Sequence, residues 1–379
     1  MSNQQSLENT VIVSAKNVKL GSIKVRISSA IKIYNLVQKH VSSCLIPDSP
    51  FINMFKLLKA IETKYEYLCS GATGHILKAT SKNGRTFIIK IVSLHNIAEY
   101  GDIYNPNRPE NVEYNILSRL TNLVCSEIIP HLELPILRFY SPLLPIKDII
   151  VDLAQNTDTE VLVKHFQTLL ENNKYHSVAS ILFVEYADNG DLRTFITKNM
   201  KTITTHVLRI FFFQIISTLA VIQQLYPTFR HNDLNVNNVL VHSKKKSQGK
   251  KVKYTVNGNS YILPNIEHQL RLWDFDYANI QGLIDNKRVV NDRSKSLGIT
   301  ANANRYYDLH FFFNNFINSF EKDLAKSADP EIVNLMLFLG RVVPTKYRNT
   351  RSRRLPNNTE YTTPLYLIEN DDFFERFRK

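Results

Sequence analysis

The sequence predicts an α+β fold in two unlike parts, an antiparallel strand-rich N-terminal part and a mainly helical C-terminal part. Three short runs at 65–70, 76–80 and 86–91 are rich in aromatic and β-branched residues. The turn formers Gly71-Ala72-Thr73-Gly74 and Asn83-Gly84 separate them, which is the pattern of a three-stranded meander. Beyond residue 200 the apolar residues instead run at helical spacing, over 207–225 and 309–320. With 379 residues, 44% of them apolar and including 21 Phe and 18 Tyr, the chain can bury a substantial core. That excludes disordered and fibrous classes and suits two or three packed units, or two lobes around one site.

Taken in order, residues 1–60 form a basic N-terminal extension with eight basic and two acidic residues and no recognisable chemistry. After the meander, Pro109 is well placed to start a helix, on which Glu113, Ile116, Leu117 and Leu120 share one face. The segment 141–180, with a helical centre at 160–170, reads as an insertion. Short buried strands are expected at 239–241 and 270–273, with a lysine-rich solvated insertion between them over about 242–269. The run 210–222 is the most apolar stretch, interrupted by Gln214, Ser217 and Thr218 and shorter than the roughly 20 residues a bilayer requires, so it reads as a buried helix and no transmembrane segment is expected.

Cys44, Cys69 and Cys125 are too few and too scattered for a disulfide framework or a zinc site. The polar start MSNQQSLENT lacks the layout of a signal peptide, and the expected location is intracellular and cytoplasmic.

Four groups of residues carry chemistry. Gly71 and Gly74 bracket a tight bend where backbone N–H groups can approach a phosphate without an intervening Cβ, although ordinary hairpins contain such pairs as well. Lys90 lies inside the apolar strand Phe87-Ile88-Ile89-Lys90-Ile91, where a cation needs an anionic partner; Glu113 on the following helix can supply one. The segment Arg230-His231-Asn232-Asp233-Leu234-Asn235-Val236-Asn237-Asn238 follows a long apolar helix and presents Asp233 and Asn238, a carboxylate able to accept a proton and an amide oxygen able to ligate a hard cation. Further on, Leu272-Trp273-Asp274-Phe275-Asp276 ends a buried strand in a carboxylate placed to hold a metal that bridges nucleotide phosphates.

This ordered set resembles the protein kinase superfamily over about residues 62–379, and more narrowly the serine/threonine kinases of large DNA viruses of the poxvirus and iridovirus types. The resemblance implies a two-lobed kinase domain over 61–379, with an N-lobe at about 61–186, a C-lobe at about 187–379, and ATP between them. It implies that Gly71, Ala72, Thr73 and Gly74 cover the phosphates, that Lys90 held by Glu113 orients them, and that Ile76, Ile88 and Leu240 enclose the adenine. Glu185 and Ala187 then offer hinge backbone beside Val184, Asn238 and Asp274 bind Mg²⁺, and Asp233 receives the proton of a Ser or Thr hydroxyl on a protein substrate. Asp308 matches the aspartate that braces the catalytic loop, and Thr363-Pro364-Leu365 through Phe373-Phe374 the closing helix. For a viral enzyme the expected location is host cytoplasm or virion.

Four departures stand out. Cys69 replaces the first loop glycine, Asn232 stands where many kinases have arginine, Asn235 replaces a lysine used near the transferred phosphoryl group, and Asp276 replaces the glycine after Asp-Phe. Without a cation at 232, a phosphorylated activation segment has no obvious grip, so activity independent of such phosphorylation is expected. His231 to Leu234 and the Asp274 triplet also resemble choline-kinase-like and aminoglycoside-kinase-like enzymes; against these stand the Gly71/Gly74 loop and the hinge with Gly190-Asp191-Leu192. A pseudokinase scaffold is disfavoured because Lys90, Asp233, Asn238 and Asp274 are all present.

The net charge of +13 is unevenly distributed. The runs 244–253 and 341–354 each carry six basic residues and no acidic one, which with the N-terminal extension leaves the remainder mildly acidic. These segments are expected as docking surface for nucleoprotein, an anionic membrane or acidic partners, with nucleic-acid binding at most an accessory property.

Overall fold

A computed structural model describes residues 23–70, 74–154, 168, 171, 174–243, 251–290 and 298–379. The α+β, two-lobed architecture is present: the chain divides into two compact units, one running to Glu127 and resuming over Glu133–Tyr186, the other comprising Ile128–Leu132 and Ala187–Lys379.

The first unit is built on a five-stranded antiparallel sheet, β1 (Lys64–Ser70), β2 (Gly74–Thr80), β3 (Thr86–His95), β4 (Pro135–Pro142) and β5 (Tyr175–Glu185), in the order β1-β2-β3-β5-β4. The meander forms as the spacing suggests, and β3 runs four residues further than expected because Val92, Ser93 and Leu94 stay buried in the sheet. Part of the expected insertion is sheet: Tyr175–Ser180 form the first half of β5, paired with both β3 and β4, and the helix Leu143–Ala154 follows β4 directly. The segment 160–170 falls almost wholly outside the described residues.

The helix Pro109–Cys125 begins with Pro at its first position, where the missing N–H costs nothing, and buries Glu113, Ile116, Leu117 and Leu120. Residues 24–38, inside the basic extension, form a helix that buries Ile27, Ala30, Ile33 and Val37 and packs on β4 and β5.

The second unit is organised by the helix Thr205–Leu225 and its packing with Tyr307–Leu324, Ile332–Val342 and Pro364–Asn370. Phe212 lies edge-on to Phe313 at 4.9 Å and to Phe316 at 5.0 Å, and Phe338 stacks on Phe373 at 4.3 Å. Each such ring buried from water contributes about 1.5–3 kcal/mol, with roughly 0.5–1.5 more from the pair geometry. The Thr205–Leu225 helix is 21 residues long and apolar enough to cross a membrane by length and composition, which corrects the length argument made from the sequence. Its assignment rests instead on burial, because 89% of its apolar window is buried.

Between the two short strands Val239–Ser243 and His268–Leu272, which pair with each other, lies a hairpin of Lys251–Val256 and Asn259–Pro264 closed by Asn257-Gly258. Both turn residues have positive φ, 51° and 78°, as a two-residue hairpin turn requires.

Candidate active site

In the first unit, Lys90 Nζ lies 2.8 Å from both carboxylate oxygens of Glu113, and each side chain is 5% exposed. The strand places Lys90 at a position paired with Ile76 and Leu182, and the helix face carries Glu113 inward. The sheet brings two residues of the expected adenine enclosure close: Ile76 pairs with Lys90, Ile88 pairs with Val184, and both isoleucines are buried.

Gly74 has a steric reason to be glycine. A Cβ there would lie 2.4 Å from the Ile91 carbonyl oxygen, so β2 could not approach β3 at this register with any other residue. Gly71, Ala72 and Thr73 lie outside the described residues.

Glu185, expected only as hinge backbone, is also gripped through its side chain. Arg26 donates from Nε to one carboxylate oxygen at 3.0 Å and from a terminal nitrogen to the other, which also accepts the Leu134 N–H at 2.9 Å. The Glu185 N–H itself donates to the Leu134 carbonyl at 3.1 Å. Arg26 was not legible as a site residue, because nothing in the sequence links position 26 to a strand 159 residues away.

In the second unit, the Asp308 carboxylate accepts the backbone N–H of His231 at 2.7 Å and of Asn232 at 2.8 Å. The His231 ring bonds the Trp273 carbonyl at 3.0 Å and lies 4.7 Å from the Phe275 ring. The Trp273 N–H reaches the Asn238 carbonyl at 3.2 Å. These bonds tie the 231–238 loop to the strand end that carries Asp274. Asn232 and Asp274 both sit in left-handed backbone, φ 65° and 63°, a conformation that Asn and Asp tolerate better than other non-glycine residues.

Asp233 is the centre of a hydrogen-bond cluster. Its Oδ2 accepts Asn238 Nδ2 at 2.9 Å and Asn235 Nδ2 at 3.3 Å, and its Oδ1 accepts an Arg354 terminal nitrogen at 2.9 Å. Burial pushes the Asp233 carboxyl above the usual carboxylate range; the Arg354 and His231 charges oppose the shift, and the charge of Asp274 adds to it. Asn238 spends its Nδ2 on Asp233, so its amide oxygen is the end left for a cation. Leu240 is half-buried on the strand after the loop, and Ala187 is buried.

Within the 341–354 run, three basic residues are paired with carboxylates. Arg341 pairs with Asp371 at 2.7 Å, Arg348 with Glu321 at 3.1 Å and Arg354 with Asp233. Of the other run, 244–250 lies outside the described residues.

The segment after Asp274 is held internally. Asp276 pairs with Arg288 at 2.8 Å, and Asn286 Nδ2 donates to the carbonyls of Asp276 at 2.7 Å and Ala278 at 3.1 Å. Asn232 Nδ2 donates to the Tyr277 carbonyl at 3.0 Å.

A family model described as Poxvirus serine/threonine protein kinase matches residues 151–362, a stretch that contains Asp233, Asn238 and Asp274. The chain is 33% identical over 336 residues to the "Putative serine/threonine-protein kinase R400" of Acanthamoeba polyphaga mimivirus, covering 85% of this chain and 71% of that protein. The chain belongs to the poxvirus-type serine/threonine protein kinase family. A second mimivirus relative of this kinase, "Putative serine/threonine-protein kinase R301", is 29% identical over 133 residues, which is 33% of each chain.

Proposed function

We propose that this kinase transfers the γ-phosphate of ATP to Ser or Thr hydroxyls of protein substrates, with Mg²⁺ as the cation. The observation that carries the proposal is the Asp233 cluster: a carboxylate held through Oδ1 by Arg354 and through Oδ2 by the Asn235 and Asn238 amides, beside the Asn238 amide oxygen, on a loop whose backbone is fixed by Asp308. Family membership favours a protein acceptor over an amino alcohol or aminoglycoside.

The donor set fits the cation. Asn238 and Asp274 offer an amide oxygen and a carboxylate, the hard ligands that Mg²⁺ prefers, and no group of three or more His, Cys, Asp or Glu that could hold a metal occurs among the described residues. Two protein oxygens suit a cation that takes its remaining ligands from phosphates and water. When bound, Mg²⁺ would neutralise charge developing on the transferred phosphoryl group.

The protein's own groups do the rest. Lys90, fixed by Glu113, is a point charge for the α/β-phosphates. Gly74, at the start of β2, and the Gly71-Ala72-Thr73 sequence before it are proposed to cover them. Ile76, Ile88 and Leu240 supply apolar surface for the base, and the backbone of Glu185 and Ala187 supplies its polar contacts. Asp233 orients the acceptor hydroxyl and takes its proton, a role helped by a carboxyl held above its ordinary range.

Incubation with γ-labelled ATP and Mg²⁺, with mixed protein substrates in one arm and amino alcohols and aminoglycosides in the other, tests the proposal. Label on Ser and Thr of proteins supports it. Label only on small molecules, or ATP·Mg²⁺ binding without transfer to any acceptor, overturns it.

A further inference from the structure

Arg354 lies 121 residues after Asp233 in a run that its composition marks as docking surface, yet its side chain is only 14% exposed and points into the catalytic loop. Its guanidinium makes three kinds of contact besides the bond to Asp233 Oδ1. It donates to the Asn232 carbonyl, it donates to the Tyr307 hydroxyl at 2.7 Å, and it stacks over the Phe311 ring at 4.4 Å. The last two partners sit on the helix that also carries Asp308, the residue that fixes the loop backbone.

A guanidinium tethered at four points is part of the scaffold rather than a mobile surface charge. Its effect on Asp233 is geometric. With Oδ1 committed to Arg354, the carboxylate plane is set, and Oδ2 is the oxygen turned toward the amides of Asn235 and Asn238. Neither amide alone could hold that plane, since both approach the same oxygen.

We propose that Arg354 is the positioning residue for Asp233, supplying from the far end of the chain the cation that position 235 does not provide. This rests on the reading of Asp233 as proton acceptor. Arg354 does for the carboxylate plane what Asp308 does for the loop backbone, and the two act from one helix and the segment packed beside it.

The test compares Arg354→Gln, Arg354→Lys and the double variant Arg354→Gln/Asn235→Lys with wild type. Steady-state kinetics with ATP and a protein substrate give kcat and KM, and hydrogen exchange of the loop peptide covering 229–241 is followed in parallel. Misplacing a reacting group by about 1 Å costs about 100-fold in rate, so Arg354→Gln should lose kcat on that scale with KM for ATP changed less than about 2-fold. Its loop peptide should exchange faster while the Thr205–Leu225 helix keeps its protection. Arg354→Lys should retain more rate than Arg354→Gln, and Asn235→Lys should restore part of the loss by returning an ammonium to the same carboxylate.

Unchanged loop exchange in Arg354→Gln overturns the proposal, as does unchanged or increased kcat, the latter marking Arg354 as a block on the acceptor. Failure of Asn235→Lys to restore any rate overturns it as well. A wild type that transfers no phosphate overturns the proposed function instead, and loop exchange then decides the positioning role.

Discussion

Asn232 donates its side-chain N–H to the Tyr277 carbonyl at 3.0 Å, while its own backbone N–H is held by Asp308 at 2.8 Å. The residue that follows His231 thus ties the segment after Asp274 to the 231–238 loop through a neutral amide. Arg288 and Asn286 fasten the same segment at Asp276 and Ala278. A network of this kind needs no added phosphate to order it. Enzyme treated with phosphatase is therefore expected to keep its protein-kinase turnover; loss of turnover on treatment, recovered on rephosphorylation, would refute the role given to this network.

The Lys90–Glu113 pair is almost fully buried, so the two halves stand or fall together. Removing one partner of a buried ion pair typically costs about 3–5 kcal/mol. Lys90→Met and Glu113→Leu are each expected to be strongly destabilised in urea titrations, and the double variant less so than the sum. Additive losses would contradict the coupling.

Gly74 is constrained by the Ile91 carbonyl. Gly74→Ala is expected to cost about 1–3 kcal/mol through overpacking between β2 and β3, read as a lower denaturation midpoint. An unchanged midpoint would mean that the sheet relaxes at that corner without penalty.

His310 is fully buried; its Nε2 bonds the Tyr347 carbonyl at 3.0 Å, and its Nδ1 has no hydrogen-bond partner among the described residues. The bonded nitrogen must carry the proton, so the ring is neutral, and burial lowers its pKa to about 4. The unfolded chain, with an ordinary imidazole near pH 6.5, then binds the proton first as pH falls. Stability from this group is complete above about pH 6.5 and is lost progressively down to about pH 4, by an amount on the order of 3 kcal/mol. His310→Asn is expected to flatten the stability profile across that window. A variant with the same acid slope as wild type would show that His310 does not control it.

Local patterns were legible in the sequence where they carry their own periodicity or turn chemistry. The meander, Pro109 at its helix start, the inward Glu113 and the loop from His231 to Asn238 all follow from spacing within a few tens of residues. What the sequence hid is long-range pairing of ordinary-looking residues. Arg26 on Glu185 and Arg354 on Asp233 join positions 159 and 121 residues apart, and each arginine sits in a run whose composition reads as solvated charge. The half of β5 read as insertion was hidden for a related reason, since Tyr175–Ser180 become strand only by pairing with β3 and β4.

The proposed reaction is phosphoryl transfer from ATP through Asp233 and Asp274 to Ser or Thr of proteins. Mass-spectrometric mapping of phosphosites made in a protein mixture by wild type, Asp233→Asn and Asp274→Ala, each confirmed folded by its thermal transition, tests it most directly. New phosphoserine and phosphothreonine sites are expected with wild type and should disappear with both variants. The same sites appearing with either variant, or sites confined to tyrosine, would contradict it.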